Sequence, residues 1–366
     1  MFKGIFADKR VLITGNTGFK GSWLTVWLLR LGARVSGIAN STPTNPSMFQ
    51  ELSLSSKISH HSEDIRNSEA ICEIIATEKP DFIFHLAAQP IVSESYEKPL
   101  ETFTTNVIGT ANVLEALRIL NPVCTAVFIT SDKCYDNLEW VWGYRETDAL
   151  GGKDIYSGSK GAAELVLKSY FHSFFKKENI NFSVGIGRAG NVIGGGDRAR
   201  DRIVADCVKA WSQKKVVEIR SPDATRPWQH VLEPLSGYLQ LAQALAERKS
   251  LHGEAFNFGP RSQKNHTVIE LLNDLAGYWG FSDLSQAYRI TDNLPFHEAG
   301  LLKLNCDKAL YHLNWQASLE YDETIRFVGE WYRQFYREHK NMFDITSSQI
   351  QQYEEYARQR NIQWAA

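Results

Sequence analysis

The chain reads as an α/β protein built on a doubly wound parallel sheet. Three observations lead there. The first half alternates short apolar runs with amphipathic stretches of helical length, which is the rhythm of βαβ units. A glycine-rich loop, Gly15-Asn16-Thr17-Gly18-Phe19-Lys20-Gly21, joins the first apolar run to the first amphipathic stretch. After about residue 190 the rhythm gives way to a mostly helical pattern. The expected organisation is a sheet domain over 1–190 and a smaller, mixed α/β but mostly helical region over 191–366, with segments near 225–262 returning to the first domain.

Each element follows from its own stretch of chain. Residues 10–13, Arg-Val-Leu-Ile, are an apolar run of strand length. Residues 21–31 carry a helical pattern, and residues 34–38 are a second strand. A helix over 67–79 stops before Pro80, and a strand over 81–86 follows. Helices over 105–120 and 159–176 alternate with strands over 126–130 and 184–187. Beyond these, residues 194–197 (Gly-Gly-Gly-Asp) form a loop, 203–213 a helix and 216–219 a short strand. Helices are expected over 234–249, 268–279, 307–311 and 322–339. The tail over 347–360 is helical, with Thr346 or Ser347 as its cap. The strand-like run 255–259 could join the main sheet.

Bulk properties narrow the function. The 366 residues include 43% hydrophobic and 22% charged side chains, and the net charge is -2. That balance gives no electrostatic case for nucleic acid or an anionic membrane. No apolar run reaches the ~18 residues of a membrane span, and the run 23–31 is broken by Arg30. The N-terminus passes at once into a strand, leaving no room for a signal peptide. The five cysteines, at 72, 124, 134, 207 and 306, are widely spaced and form no CxxC. They read as reduced thiols in a cytoplasmic protein, with no metal site.

The glycine loop sits at the first strand-to-helix turn, where backbone must approach a pyrophosphate closely. Its spacing is GxxGxxG. This is a Rossmann arrangement for a dinucleotide. The second strand is followed by Ala39-Asn40-Ser41, without the acid that pairs with a ribose hydroxyl and without an arginine for a 2′-phosphate, so NAD is favoured over NADP. Small residues in Leu86-Ala87-Ala88 would let a flat cofactor lie against backbone, and Asp64, beside Ile65, is placed to meet an adenine amino group.

Tyr156 and Lys160 are four apart at a helix start and share a face. A lysine ammonium and a cationic nicotinamide would both favour a Tyr156 phenolate able to take a hydroxyl proton. Ser131-Asp132-Lys133 ends a strand, where open parallel sheets bind ligands. Ser131 would orient a substrate hydroxyl near Tyr156. Asp132 offers a second proton donor, which an enzyme that only oxidises does not need.

Together, Thr14-Gly15-x-x-Gly18-Phe19-x-Gly21, Asp64-Ile65, His85-Leu86-Ala87-Ala88-Gln89, Asn106-Val107-x-Gly109-Thr110, Ser131-Asp132-Lys133, Tyr156-x-x-x-Lys160 and Arg188-x-x-Asn191-Val192 resemble the extended short-chain dehydrogenases/reductases, and within them the nucleotide-sugar 4,6-dehydratases. The resemblance covers most of residues 10–195. Epimerases of that superfamily usually carry a small residue where Asp132 stands. The dTDP- and GDP-sugar dehydratases usually place a glutamate, the C5 base, where this chain has Lys133. Lys133-Cys134-Tyr135, Thr225-Arg226-Pro227-Trp228, His297-Glu298-Ala299 and Leu302-Lys303-Leu304 are similar to the CDP-glucose branch, and this agreement extends to about residue 320.

The resemblance implies NAD as cofactor, held by Gly15, Thr17, Gly18, Phe19, Lys20, Gly21, Asp64, Ile65, Leu86, Ala87, Ala88, Tyr156 and Lys160. It implies CDP-glucose as substrate, dehydrated to a 4-keto-6-deoxy sugar for surface polysaccharide, with Ser131, Asp132, Lys133, Tyr156 and Lys160 as catalytic residues. Gln89, Asn191, Arg202, Arg226 and His297 would contact that substrate, and Arg198 and Arg200 offer further charge for its diphosphate. Lys133 is either the C5 base or an enolate stabiliser. A homodimer or homotetramer is implied, paired through helices 105–120 and 159–176. Other sugar-nucleotide dehydratases or epimerases, and a cofactor-sensing regulator without chemistry, are the alternatives.

Overall fold

Seven strands pair side by side in the computed structural model, which describes residues 1–260, 266–291 and 301–366. They are β1 (Arg10–Thr14), β2 (Arg34–Ile38), β3 (Ser59–His61), β4 (Phe82–His85), β5 (Thr125–Ile129), β6 (Ser183–Arg188) and β7 (Ala255–Asn257). The order across the sheet is β7-β6-β5-β4-β1-β2-β3, and every pairing is parallel. Chain order reverses between β1 and β4, so a crevice opens beyond their carboxyl ends. The central strands are buried end to end, as expected where helices cover both faces.

Strand β3 carries Ser-His-His and has no apolar run to announce it. It forms because Ser36, Gly37 and Ile38 of β2 offer a free edge. The run beginning at residue 255 joins the main sheet as β7, beside β6.

Helix limits differ from the sequence expectation at several points. The helix expected over 105–120 opens with a wide turn at Thr104–Ile108 before Gly109–Leu120. The one expected over 159–176 starts earlier, at Ile155–Tyr170, because Asp154 caps it by accepting the Ser157 N–H at 2.9 Å. The tail helix, Met342–Gln359, starts five residues ahead of residue 347. Its cap is Asn341, which accepts the Phe343 N–H at 3.0 Å, and Thr346 is instead buried within the helix, bonded to the Trp331 indole.

That tail helix lies across the first helix, Phe19–Arg30. The Trp27 indole donates to Glu354 Oε1 at 2.9 Å, and Phe2 stacks on Trp364 with centroids 4.9 Å apart. The element that carries the glycine loop is therefore covered by the last element of the chain.

Candidate active site

The glycine loop is shaped by close approach. Gly15 has φ +76° and runs against Ala87 backbone, where a Cβ would sit 2.8 Å away. A Cβ at Gly21 would lie 2.1 Å from the Gly15 carbonyl, so the helix start can nest on the loop only without a side chain. The first-turn N–H groups of Phe19–Arg30 have no intrahelical partner. This cradle fits the pyrophosphate of a dinucleotide. Thr17 fixes the loop by donating to the Ser41 carbonyl at 2.7 Å. Leu86 and Ala87 are tied to Thr14, Ala88 follows at the crevice edge, and Thr14 also donates to His85 Nδ1. His85 is held neutral, its pKa lowered to about 3 by burial and then by the charge of Lys160.

At the far end of the crevice the Asp64 carboxylate is already partnered. Arg66 donates to it at 2.6 Å and Asn40 at 2.9 Å, and these bonds lower its pKa to about 2. Ile65 packs beneath Gly109, where a Cβ would come within 2.5 Å of its methyl.

The catalytic turn follows β5. Ser131 caps the single turn Asp132–Cys134: its oxygen accepts the Lys133 N–H at 3.2 Å, and its hydroxyl donates to Asp132 Oδ1 at 2.9 Å. Asn191, held at φ +52°, donates to Asp132 Oδ2 at 3.4 Å. Tyr156 and Lys160 project from consecutive turns of Ile155–Tyr170, and both are buried. Burial raises the Tyr156 phenol to about 12, opposed by Arg202 and by a hydrogen bond with Ser131. The cation that acts on this phenol is thus Arg202, whereas the sequence pointed to Lys160. Lys160 is itself lowered to about 8 by burial.

A buried network holds these pieces in place. Arg188 of β6 donates to Glu164 through two bonds of 2.8 Å, and Glu164 also accepts from Thr130. Arg188 donates to Tyr135 at 2.7 Å, and Tyr135 donates to Asn257 of β7 at 2.8 Å. Asn106, in the wide turn, donates to Ser159 at 2.8 Å and exchanges bonds with the Gln89 backbone. Three strand ends and the Tyr156 helix therefore form one rigid frame.

The other expected contacts sort differently. The Gln89 amide donates to Thr102 and to the Ile91 carbonyl, which holds its own turn. Arg202 faces the Tyr156 region. Arg198 turns away onto Phe335 and Tyr336, and Arg200 pairs with Glu97 at 3.3 Å. Arg226 lies on a two-residue strand, Thr225–Arg226, paired with His266–Thr267. Pro227, Gln229, Gly259 and Lys303 join Asp132 and Asn191 around one cleft. His297, with Glu298, lies outside the described residues. The sequence gave no hint of Asp197, a buried carboxylate set between Lys20 and Arg202.

Comparison with known proteins agrees with this layout. A structure of UDP-glucose 4-epimerase with UDP-glucose, from Thermotoga maritima, superposes with a TM-score of 0.76 at 21% identity, covering 89% of this chain and 99% of that one. A structure of dTDP-glucose 4,6-dehydratase in complex with NAD, from Bacillus anthracis, gives 0.74 at 19% identity, covering 89% and 97%. A relative from Salmonella typhimurium, CDP-glucose 4,6-dehydratase, is 46% identical over 92% of this chain and 93% of its own length. The family model described as GDP-mannose 4,6 dehydratase matches residues 12–328. By that match and that identity, the chain belongs to the GDP-mannose 4,6 dehydratase family.

Proposed function

We propose that this protein dehydrates CDP-D-glucose to CDP-4-keto-6-deoxy-D-glucose, with NAD as resident cofactor. The observation that carries the reading is Asp132, a buried carboxyl bonded to Ser131 and placed beside the Tyr156 phenol. A plain redox site has no use for it. The 46% identity to a CDP-glucose 4,6-dehydratase supports the choice of nucleotide.

Bound NAD supplies an acceptor and donor of hydride. The chain's residues handle protons. Ser131 orients the sugar 4-hydroxyl and Tyr156 takes its proton, helped by Arg202, which favours the phenolate. A ketone at C4 makes the C5 hydrogen acidic. Asp132 then gives a proton to the 6-hydroxyl, which leaves as water while a base removes the C5 proton. Lys133, on the same turn as Asp132, is our candidate for that base. Asn191, Arg202 and Arg226 would hold the diphosphate, and the glycine loop with Asp64 and Ile65 the cofactor. Residues 1–190 serve the cofactor and 191–366 the sugar nucleotide.

A cytosolic homodimer or homotetramer completes the proposal. Five free cysteines fit a reducing compartment, and among the described residues no helix is long and apolar enough to cross a membrane. Ile108 and Leu165, both at least half exposed on the expected pairing helices, would be covered by a second copy.

The test is incubation of the purified protein with CDP-glucose and NAD+, following the 4-keto product by its absorbance in alkali. Product from CDP-glucose is expected. Absence of product with any glucose nucleotide sinks the reading.

A further inference from the structure

Lys20 is a cation that the proton chemistry above does not use. It sits in the first turn of Phe19–Arg30, directly after the glycine loop. Four charged groups act on it: Arg202, Asp132, Lys160 and Asp197. Its ammonium has no hydrogen bond or ion pair among the described residues. Three cations and two carboxylates therefore share the space between the glycine loop and the catalytic turn, an excess of one positive charge.

Asp197 is the group that cannot move away. It is 9% exposed, and Ala199 N–H donates to its Oδ1 at 3.2 Å. The loop around it is fixed from both sides. The Trp23 indole donates to the Gly195 carbonyl at 2.8 Å, and the Tyr332 hydroxyl donates to the Asp197 carbonyl at 2.6 Å. The Trp331 ring fills the space where a Gly195 side chain would be, 2.0 Å from an added Cβ. Arg202 and Lys20 both act on the carboxylate so held.

An anion lying on the glycine loop reaches Lys20 from one side. An anion held by Arg202 reaches it from the other. We propose that Lys20 contacts both anionic ligands where they meet, and that Asp197 is the positioning residue that keeps its ammonium there. The inference rests on the dehydratase reading only for the identity of the second anion.

Direct calorimetric titration with NAD+ and with CDP tests it without turnover. Lys20→Met is expected to weaken both ligands by about tenfold near pH 6.5, the loss of a charge-assisted hydrogen bond. Burial and Arg202 lower the lysine to about 8, so wild-type affinity should fall as pH rises through that value. Lys20→Arg keeps its charge and should give a flat profile. Asp197→Asn, which can still accept the Ala199 bond, should move the fall to lower pH, because Asp197 favours the ammonium.

Unchanged binding of either ligand to Lys20→Met overturns the shared contact. An Asp197→Asn profile that superimposes on wild type overturns the positioning role. Should Lys20→Met fail to fold, a flat wild-type profile matching that of Lys20→Arg overturns the proposal in its place. If the wild type converts CDP-glucose while Lys20→Met binds normally, this inference falls and the function stands. If the wild type binds NAD+ but converts no glucose nucleotide, the function falls, and the contact with NAD+ is still decided.

Discussion

The Asp132 carboxylate occupies the space that Gly190 leaves open. A Cβ at residue 190 would lie 1.9 Å from Asp132 Oδ2, so the two positions form one shape. Gly190→Ala should push the carboxyl off its seat against Ser131 and Asn191. We expect kcat to fall by about 10²-fold, as for a catalytic group misplaced by about an ångström, with an overpacking cost of about 1–3 kcal/mol. Steady-state kinetics beside a melting curve separates the two effects.

Asp132→Asn keeps the shape and removes the acid. Formation of the alkaline chromophore from CDP-glucose should slow by roughly 10²–10⁴-fold, the usual worth of a general acid. Melting should be little changed, since an amide can still accept the Ser131 hydroxyl. Activity near that of wild type would remove Asp132 from the proton-donor role.

Arg188 and Glu164 are 3% and 2% exposed and bonded twice. Arg188→Met leaves Glu164 buried without its countercharge, which should cost about 3–5 kcal/mol. Adding Glu164→Gln should recover part of that loss, because the stranded charge is gone. Urea unfolding of the two variants measures the difference. Equal losses would mean that the pair is not the source.

Glu233 gives a pH dependence of stability. It accepts from Ser318, Leu319 and Tyr353 in a buried site, and burial raises it from 4.5 to about 7. The folded state then binds a proton more readily than the unfolded chain. This stabilisation is full below about pH 4.5 and is lost as pH rises through 7. Glu233→Gln cannot titrate, so its stability relative to wild type should rise over that window by roughly 3 kcal/mol. Denaturant midpoints at several pH values test the sign.

The parallel sheet was readable because buried strands are apolar runs and each is followed by a helix-length stretch. Strand β3 was not, since Ser59, His60 and His61 pair through backbone alone. The early start of the tail helix was missed because Asn341 caps it ahead of the stretch that showed a periodic pattern. Within the site, the glycine loop, Ser131-Asp132 and Tyr156-x-x-x-Lys160 are local spacings and stand out in one dimension. The seat at Gly190, the pull of Arg202 on Tyr156 and the place of Asp197 beside Lys20 arise where distant segments meet. No short-range pattern encodes such meetings.

The tail helix that lies over Phe19–Arg30 bears on how the chain is made. Trp23 and Trp27 emerge early from the ribosome, yet Trp27 is covered by Tyr353 and Trp364 near the far end. Such long-range closure is slow and leaves apolar surface open in the meantime. The glycine loop is thus synthesised first and completed last. A chain stalled or cut before the tail would present bare indoles to chaperones and proteases, and quality control would act on it before any substrate could.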